Sequence, residues 1–271
     1  MSQSSGDLAL PDLEFHSVLT KIQEIEHLEE RSRWIIRDAI DDVIRGDRTG
    51  RYSIAQLTKQ EKAHIGTQIE ISLVREFFDL RQGQVLDTTV SGVEVDIKHT
   101  IGSNWMIPEE AIRHICLLVK TSEENRCFSI GLIRAQREDL GAPNRDRKRG
   151  LTSSAREQIA WILRDSQFPV SIFLTMPPED RDAIFSHTRS GQKRVNELFR
   201  RFQRVPIMRA DLCTLARQRD PMKRGRDAKK QLQNEGIGVV CGRYADKRQP
   251  AIEAGLSITK NEWVSFPSNR S

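Results

Sequence analysis

The chain has 271 residues, 37% of them hydrophobic and 30% charged, and a net charge of +5. Its length suits one large domain or two ordinary ones, and its hydrophobic content is sufficient for a packed core. Because it has no run of about 18 apolar residues and begins with a polar, acidic segment, the sequence excludes a membrane span and a signal peptide, and we expect an intracellular protein.

Two helical segments are predicted in the first 80 residues. Apolar residues recur at helical spacing between Leu13 and Gly46 and again between Thr58 and Leu80, with a polar loop between the segments. The predicted apolar faces comprise Trp34, Ile35, Ala39, Val43 and Ile44 in the first helix and Ile65, Ile69, Leu73 and Phe77 in the second.

The pattern then changes to strands. The runs VLDTTV and VEVDIKHT flank Ser91 and Gly92, which predict a two-residue hairpin turn. A helix is predicted to begin at Pro108, followed by strands in ICLLVKT and RCFSIGLIRA. A basic loop at 142–150 leads to a helix at 153–165, with Ile159, Ile162 and Leu163 on its apolar side. A short apolar run, PVSIFLTM, ends this part of the chain. The four cysteines are widely spaced without a CxxC pair, which indicates free thiols rather than a zinc site or a disulfide framework.

The second strand of the hairpin gathers charge on one face. Side chains alternate between the faces of a strand, so Glu94, Asp96 and Lys98 point the same way. A two-residue turn places Asp87 directly opposite Asp96, with Cβ atoms about 5 Å apart. Opposed like charges destabilise a sheet unless a cation lies between them, and an oxygen-rich acid site favours Mg²⁺. The alternative is a solvated strand face with a cross-strand salt bridge and Asp87 in a loop.

This charged set fits phosphodiester hydrolysis. The reaction requires a deprotonated water, neutralisation of phosphate charge and help for the leaving oxygen, all of which carboxylate-held metal ions can supply. Lys98 would stabilise charge beside the attacking water or assist its deprotonation. Glu70 lies on the preceding helix, at the fringe of its apolar face, and could reach the same site, while Glu76 is the competing acid on that helix.

The mild net charge conceals one strongly basic segment. Residues 187–249 contain 17 Lys and Arg against 6 Asp and Glu, whereas the rest of the chain contains 26 and 32. Such an asymmetry predicts a face for nucleic acid, with a solvated basic surface as the alternative.

The basic segment also has a readable order of elements. ADLCTLARQ predicts a short helix, RDPMK a turn, KRGRDAKKQLQNEG a basic helix, and GIGVVCGRY the start of a β wing. This is the order of a winged helix-turn-helix, in which Arg224, Arg226, Lys229 and Lys230 would face DNA. Gly225 counts against it because glycine costs a helix about 1 kcal/mol, and a basic protein-interaction domain is the alternative.

Four segments carry a resemblance to a known family. They are TQIEISL, D-TTVSGVEV-D-I-K, NWMIPEEAIRHICLLVKT, and SGQKRVNELFR together with PMKR, between about residues 60 and 245. On these segments the chain resembles the NaeI family of type II restriction endonucleases. The resemblance implies an α/β (α+β) nuclease domain of the PD-(D/E)xK type at 1–170, with a mixed central sheet flanked by helices. A topoisomerase-like, mainly helical domain with a winged helix-turn-helix would follow at 171–271.

The resemblance also implies site residues. The family's catalytic Glu, Asp, Asp and Lys match Glu70, Asp87, Asp96 and Lys98, and this match selects Glu70 over Glu76. The expected Mg²⁺ ligands are Asp87, Asp96 and the carbonyl oxygen of Ile97, with Glu70 completing the site or orienting a water. The predicted DNA-contacting residues are Lys193, Arg194, Arg219, Lys223, Arg224, Arg226, Lys229 and Lys230.

The implied activity is Mg²⁺-dependent cleavage of double-stranded DNA in the bacterial cytoplasm, leaving 5′-phosphates. The implied enzyme is a homodimer that engages two DNA copies, one cleaved and one bound as an effector in the C-terminal domain. Leu86 stands where the family usually has a proline before the first aspartate, which removes no functional group. A repair-type nicking endonuclease on the same fold and a catalytically inactive winged-helix DNA-binding regulator are the alternatives.

Overall fold

The structure, a computed structural model, describes residues 12–78, 83–218 and 220–268. The helices are α1 (Leu13–Gln23), α2 (Leu28–Ile44), α3 (Gly46–Thr49), α4 (Lys59–Phe77), α5 (Ser153–Glu157), α6 (Pro178–Phe185), α7 (Gly191–Arg201), α8 (Arg209–Ala216), α9 (Pro221–Gln233) and α10 (Gln249–Glu253). The strands are β1 (Thr88–Val90), β2 (Val93–Thr100), β3 (Met106–Ile107), β4 (Ile115–Ser122), β5 (Cys127–Arg134), β6 (Leu140–Pro143), β7 (Arg149–Leu151), β8 (Ala160–Gln167), β9 (Ile207–Met208), β10 (Ile237–Cys241) and β11 (Glu262–Pro267). Among the described helices, none combines the length and apolarity that crossing a bilayer demands.

The chain divides into two compact units. The first contains the residues up to Ala39 together with Ala63–Pro169, and the second contains Ile40–Lys62 together with the chain from Val170 onward. The second unit therefore includes a segment from the N-terminal part of the chain.

A five-stranded mixed sheet forms the centre of the first unit. The strand order is β1-β2-β4-β5-β8, in which β2 and β4 are parallel and the other neighbours are antiparallel. Buried residues of α4, including Ile65, Ile69 and Leu73, recur at the predicted helical spacing. This mixed sheet with accompanying helices confirms the α/β character expected of the nuclease domain.

The predicted single helix from Leu13 to Gly46 is wrong, because it is divided into α1 and α2. His27 lies between them with a φ of 54°, a left-handed conformation that interrupts an α-helix. The predicted apolar face of α2 is confirmed at Ala39, Val43 and Ile44, which are buried. It is wrong at Trp34 and Ile35, which are only half-buried, whereas Ile36 and Ile40 are buried in addition.

The predicted helix at 153–165 is also wrong beyond its first turn. Helix α5 ends at Glu157, and the chain then forms β8, which pairs with β5 at the edge of the central sheet. Short apolar runs such as AWIL fit either a helix or a strand by periodicity alone. Pairing with an available sheet edge, which involves residues about 35 positions away in the sequence, decided the outcome.

Two shorter predictions need correction. The helix expected after Pro108 is a single 3₁₀ turn at Glu109–Ala111, because Arg113 has a φ of 72° and its amide already bonds to the Ala135 carbonyl. The loop expected at 142–150 is mainly the turn of a hairpin between β6 and β7, which forms a small sheet with β3 in the order β3-β7-β6.

The second unit combines helices with a three-stranded antiparallel sheet in the order β10-β11-β9. Helix α7 packs against α8 and α9, and α8 against α9. The segment at Ile40–Lys62 supplies Tyr52, whose ring lies 5.2 Å from that of Phe173, between ring centroids. The main core comprises Ile172, Phe173, Met176, Ile184, Val195, Leu198, Phe199, Ile207, Leu212, Leu215, Ala216, Ala228, Leu232, Ile237, Val239 and Trp263.

Glycine at position 225 is explained by packing rather than by flexibility. A Cβ atom added to Gly225 would lie 2.7 Å from the Trp263 side chain, so α9 can approach β11 this closely only without a side chain there. Glycine lowers the helix propensity of α9 at this position, and the close packing against Trp263 offsets that cost.

Candidate active site and nucleic-acid interface

The hairpin between β1 and β2 has the predicted register. Val90 pairs with Val93 and Thr88 with Val95, so Ser91 and Gly92 form a two-residue turn. Their φ angles are 52° and 80°, and positive φ at both central positions defines a type I′ turn, whose twist matches that of the flanking strands.

The regular pairing of this hairpin ends one residue short of Asp87. We expected Asp87 to pair across the strands with Asp96, but β1 begins at Thr88. Asp87 instead accepts a hydrogen bond from the Ile97 amide, with Oδ2 2.6 Å from the nitrogen. The carboxylate of Asp87 is therefore attached to the backbone of β2 beside Asp96.

Lys98 joins the two aspartates. Its Nζ lies 2.7 Å from Asp96 Oδ1 and 3.3 Å from Asp87 Oδ2. The same ammonium donates to the Ile97 carbonyl oxygen at 3.0 Å. Asp96 is only 3% exposed, so this is a partly desolvated cluster and not a solvated strand face.

Glu70 belongs to the same cluster, because its carboxyl is hydrogen-bonded to that of Asp87 and interacts with the charges of Lys98 and Asp96. Burial raises the pKa of Glu70 to about 7, with a further contribution from the nearby Asp87 carboxylate, while Lys98 opposes the shift. Burial likewise raises the pKa of Asp96 to about 6, against the opposing attraction of Lys98. Burial alone would lower the pKa of Lys98, but the attraction of Asp96 and Asp87 outweighs it and the pKa is raised. The four residues therefore interact electrostatically, with three acids sharing one lysine.

The oxygen atoms around Lys98 Nζ are those of the predicted metal ligands: Asp87, Asp96 and the Ile97 carbonyl. In the part of the chain that the structure describes, no three His, Cys, Asp or Glu side chains converge in the arrangement of a preformed metal site. The lysine ammonium, a cation itself, lies among these oxygen atoms.

The two neighbouring acids have other roles. Glu76 is exposed and pairs with Arg75 at 3.2 Å, consistent with the choice of Glu70 over it. Glu94 shares the face of Asp96 and Lys98, but its carboxylate accepts hydrogen bonds from the Gln84 and Val85 amides.

The thiol of Cys116 lies 4.0 Å from Asp96 Oδ2, and burial raises the pKa of this thiol, which keeps it neutral. All four cysteines are free, as the sequence predicted.

A basic groove lies in the second unit, between α9 and the strands β10 and β11. It encloses about 870 Å³, and none of its described lining residues is acidic. We define the basic groove by Arg209, Arg226, Lys229, Lys230, Arg243, Lys247 and Lys260, with Tyr244 and Trp263. Tyr244 is half-exposed, and Lys247 Nζ lies 4.9 Å from the centre of its ring.

The predicted DNA-contacting residues fall into several groups. Arg226, Lys229 and Lys230 line the basic groove. Lys193 and Lys223 are exposed outside it, and Arg224 is half-buried, bonded to Gln218 and Asp227. Arg219 lies outside the described residues.

Arg194 is placed differently from the others. It is buried, and its guanidinium donates to the carbonyl oxygens of Leu215, His187 and Thr188 at 2.7, 2.7 and 3.1 Å. These bonds hold α7 in place, so Arg194 is removed from the predicted DNA-contacting set.

Sequence reasoning missed four cationic residues of the basic groove: Arg209, Arg243, Lys247 and Lys260. Arg243 and Lys247 lie in the charged turn after β10, and the basic composition of that turn could have predicted their place in the basic groove. Arg209 begins α8 and Lys260 precedes β11, neither of them within a local basic pattern, and only the packing of the unit brings them to α9.

The comparisons with known proteins agree with the motifs. A model of the family described as "Restriction endonuclease NaeI" matches residues 18–269. The chain therefore belongs to the NaeI restriction endonuclease family, as its motifs predicted. A relative, the type II restriction enzyme NaeI of Lentzea aerocolonigenes, is 36% identical over 274 residues, which cover 97% of this chain and 86% of that protein.

Proposed function

We propose that this protein is a type II restriction endonuclease that hydrolyses double-stranded DNA with Mg²⁺ and leaves 5′-phosphates. The observation that carries the proposal is the cluster of Glu70, Asp87, Asp96 and Lys98 in a chain of the NaeI family. The first unit would be the endonuclease domain of the PD-(D/E)xK type. The second unit would bind DNA.

The residues of the cluster suit Mg²⁺. Asp87, Asp96 and the Ile97 carbonyl present oxygen atoms, the ligand type that Mg²⁺ prefers, and three acids beside one lysine leave negative charge to be neutralised. When bound, Mg²⁺ would neutralise charge on the phosphate and lower the pKa of a water.

The side chains of the cluster would do the remaining work. Lys98 is kept protonated by Asp96 and Asp87, so its ammonium would stabilise charge on the phosphate and position the attacking water. Glu70, whose carboxyl lies beside Asp87, would complete the metal site or orient that water. Attack in line with the leaving 3′-oxygen would break the P–O3′ bond, leaving a 3′-hydroxyl upstream and a phosphate on the 5′ carbon of the downstream nucleotide.

The second unit is proposed to be a winged helix-turn-helix domain. The order α8, turn, α9 and antiparallel strands β10 and β11 supports this assignment. The basic groove runs beside α9, and its cationic side chains suit phosphate contacts. An effector copy of the DNA would bind there, while the first unit holds the copy that is cut.

The family assignment extends the proposal to a homodimer that engages two DNA copies. Sedimentation velocity of the purified chain tests the dimer. An added oligonucleotide that contains the recognition site tests the effector, because it should accelerate cleavage of a one-site plasmid in trans. Equal rates with and without the oligonucleotide would contradict the two-copy mode.

A digest of genomic DNA with Mg²⁺, followed by sequencing of the cut ends, tests the activity itself. We expect double-strand cuts at one recurring sequence with 5′-phosphate ends, and none in the presence of a chelator. Strand-specific nicks at mismatched or modified bases would instead support a repair endonuclease. Binding without cutting on many DNAs would support an inactive regulator.

A further inference from the structure

Asp87 ends a short segment, residues 83–87, that lacks strand pairing. Strand β1 begins only at Thr88, and Val85 within the segment is 69% exposed. The buried side chain of Leu86 holds the segment at that one residue and leaves the rest of it without a packing contact of this kind. The position of the Asp87 carboxylate therefore depends on its own bonds and on what fixes the backbone before it.

The Glu94 side chain supplies such a fixed point. Its Oε1 atom accepts hydrogen bonds from two consecutive amides, those of Gln84 and Val85, the second at 3.1 Å. Glu94 itself is held in β2, where it pairs with Thr89 across the hairpin. Two residues further along the same strand and on the same face lies Asp96. The side chain thus links the backbone that enters Asp87 to the strand that carries Asp96 and Lys98.

We propose that Glu94 is a positioning residue that fixes Asp87 relative to Asp96 and Lys98, and that it does so without touching the substrate. This inference rests on the proposed nuclease function. Reacting groups must be held to about 0.5 Å, and a displacement of about 1 Å can cost about 100-fold in rate. A loose segment at 83–87 would therefore weaken both metal binding and turnover.

The two hydrogen bonds of Glu94 allow a positioning role to be distinguished from the role of a metal ligand or an acid by substitution with glutamine. Both hydrogen bonds end on one oxygen, so they require an acceptor and not a negative charge. The amide oxygen of glutamine can accept both. A proton carrier would lose its function in the same substitution, and a metal ligand would lose the negative charge that attracts Mg²⁺.

The experiment compares Glu94→Ala and Glu94→Gln with the wild type and with a matched control, Glu124→Ala. Glu124 is an exposed acid in the turn between β4 and β5 of the same sheet. Hydrogen–deuterium exchange at the Gln84 and Val85 amides reports the two hydrogen bonds directly. Cleavage kinetics give kcat, the KM for DNA and the half-saturating Mg²⁺ concentration, and calorimetry gives Mg²⁺ affinity without turnover.

For Glu94→Ala we expect faster exchange at both amides, a kcat lower by about 10- to 100-fold, a raised Mg²⁺ requirement and an unchanged KM for DNA. Glu94→Gln should restore amide protection and keep kcat within about threefold of the wild type. Glu124→Ala should match the wild type in every readout. The melting temperatures identify any variant that has simply lost its fold.

Two results would overturn the proposal. One is wild-type kcat and Mg²⁺ affinity in Glu94→Ala although both amides exchange freely. The other is a Glu94→Gln variant that is as inactive as Glu94→Ala although its amides stay protected, because the charge itself would then be required. If the wild type cuts no DNA at all, the proposed function fails, and calorimetry still decides: weaker Mg²⁺ binding in Glu94→Ala supports the positioning role, and unchanged binding excludes it.

Discussion

At the scale of single residues, the cluster at β2 is defined by an imbalance of charge. Three acids interact with one lysine, and burial raises the pKa of two of them, Glu70 and Asp96. Such an arrangement is costly for folding in the absence of a cation, because the charged forms are disfavoured. Strained electrostatics of this kind are typical of functional sites.

Replacement of Lys98 by Ala is expected to abolish cleavage. The ammonium contacts both aspartates and is the cluster's single cationic side chain, so its loss should lower kcat by about 10²- to 10⁴-fold. DNA binding, measured by fluorescence anisotropy, should stay within about threefold because the basic groove is untouched. Asp96→Asn should behave alike, and Lys59→Ala, at the exposed start of α4, is the control. A Lys98→Ala protein that cuts at the normal rate would exclude the assigned role.

Glu70→Gln is expected to stabilise the metal-free protein at high pH. The folded pKa of about 7 lies above the ordinary value of 4.5, so the stability contributed by this group is fully present below pH 4.5 and is lost as the pH rises to about 7. At pH 8 the neutral amide should raise the free energy of unfolding by on the order of 1–2 kcal/mol, after allowance for partial exposure.

Urea unfolding in the presence of a chelator measures this effect of Glu70→Gln. The gain should vanish well below pH 4.5, where wild-type Glu70 is protonated in both the folded and the unfolded state. Cleavage should be lost at every pH. A variant that is less stable than the wild type at pH 8 would contradict the raised pKa.

At the scale of elements, the hairpin between β1 and β2 sets the register of the site. A one-residue slip would turn Asp96 and Lys98 to the opposite face. The type I′ turn prevents the slip, because two positive φ angles fit only a two-residue connection.

Gly92→Ala is therefore expected to destabilise the first unit. No atom lies within 4 Å of an added Cβ, so the cost comes from the φ of 80° alone and should be about 1–2 kcal/mol. Chemical denaturation measures it. Gly102→Ala is the matched control, because a Cβ there makes ordinary contact at 3.6 Å from Thr100 Oγ1 without a positive φ. Equal stability of the two variants would contradict the turn assignment.

At the scale of the whole molecule, the two units differ in the charge of their candidate sites and are interleaved along the chain. The basic groove belongs to the second unit, whereas the acid cluster belongs to the first. The second unit also depends on an N-terminal segment, since Tyr52 packs on Phe173 and Phe185.

Substitutions in the basic groove should weaken DNA binding in a salt-dependent way. Lys229→Ala and Lys230→Ala should each lower the slope of log affinity against log salt by about 1, because each would remove one of the proposed phosphate contacts. Binding is measured by anisotropy between 50 and about 200 mM salt. Lys59→Ala, on an exposed lysine outside both the basic groove and the predicted DNA-contacting set, provides the comparison. Unchanged slopes for both groove variants would exclude phosphate contact at these positions.

A fragment that contains only residues 171–271 should be much less stable than the second unit in the full chain. It lacks Ile40–Lys62, and with it the ring contacts of Tyr52 and the close approach of Gly46 to Thr214. Circular dichroism during heating measures the transition. A cooperative transition at the temperature seen for the full chain would show that the segment is dispensable.

The sequence by itself predicted the features that a few neighbouring residues encode. The alternation of side chains along VEVDIK predicted the charged face, and Ser91-Gly92 predicted the hairpin turn. The basic, helix-forming sequence after RDPMK predicted α9. Each depends on local backbone preference or on the period of a strand or helix, which need no knowledge of distant contacts. The motifs around them also predicted the family.

Tertiary structure decided the features that combine distant residues. AWIL became a strand because β5 offered an edge, and Asp87 left the strand pairing to bond with the Ile97 amide. Arg209 and Lys260 joined the basic groove, Arg194 became a buried support, and Gly225 proved necessary beside Trp263. In each case the deciding energy is a packing or hydrogen-bonding contact that no local pattern records. Most of these contacts join residues far apart in the chain, whereas Asp87 and Ile97 meet within one hairpin.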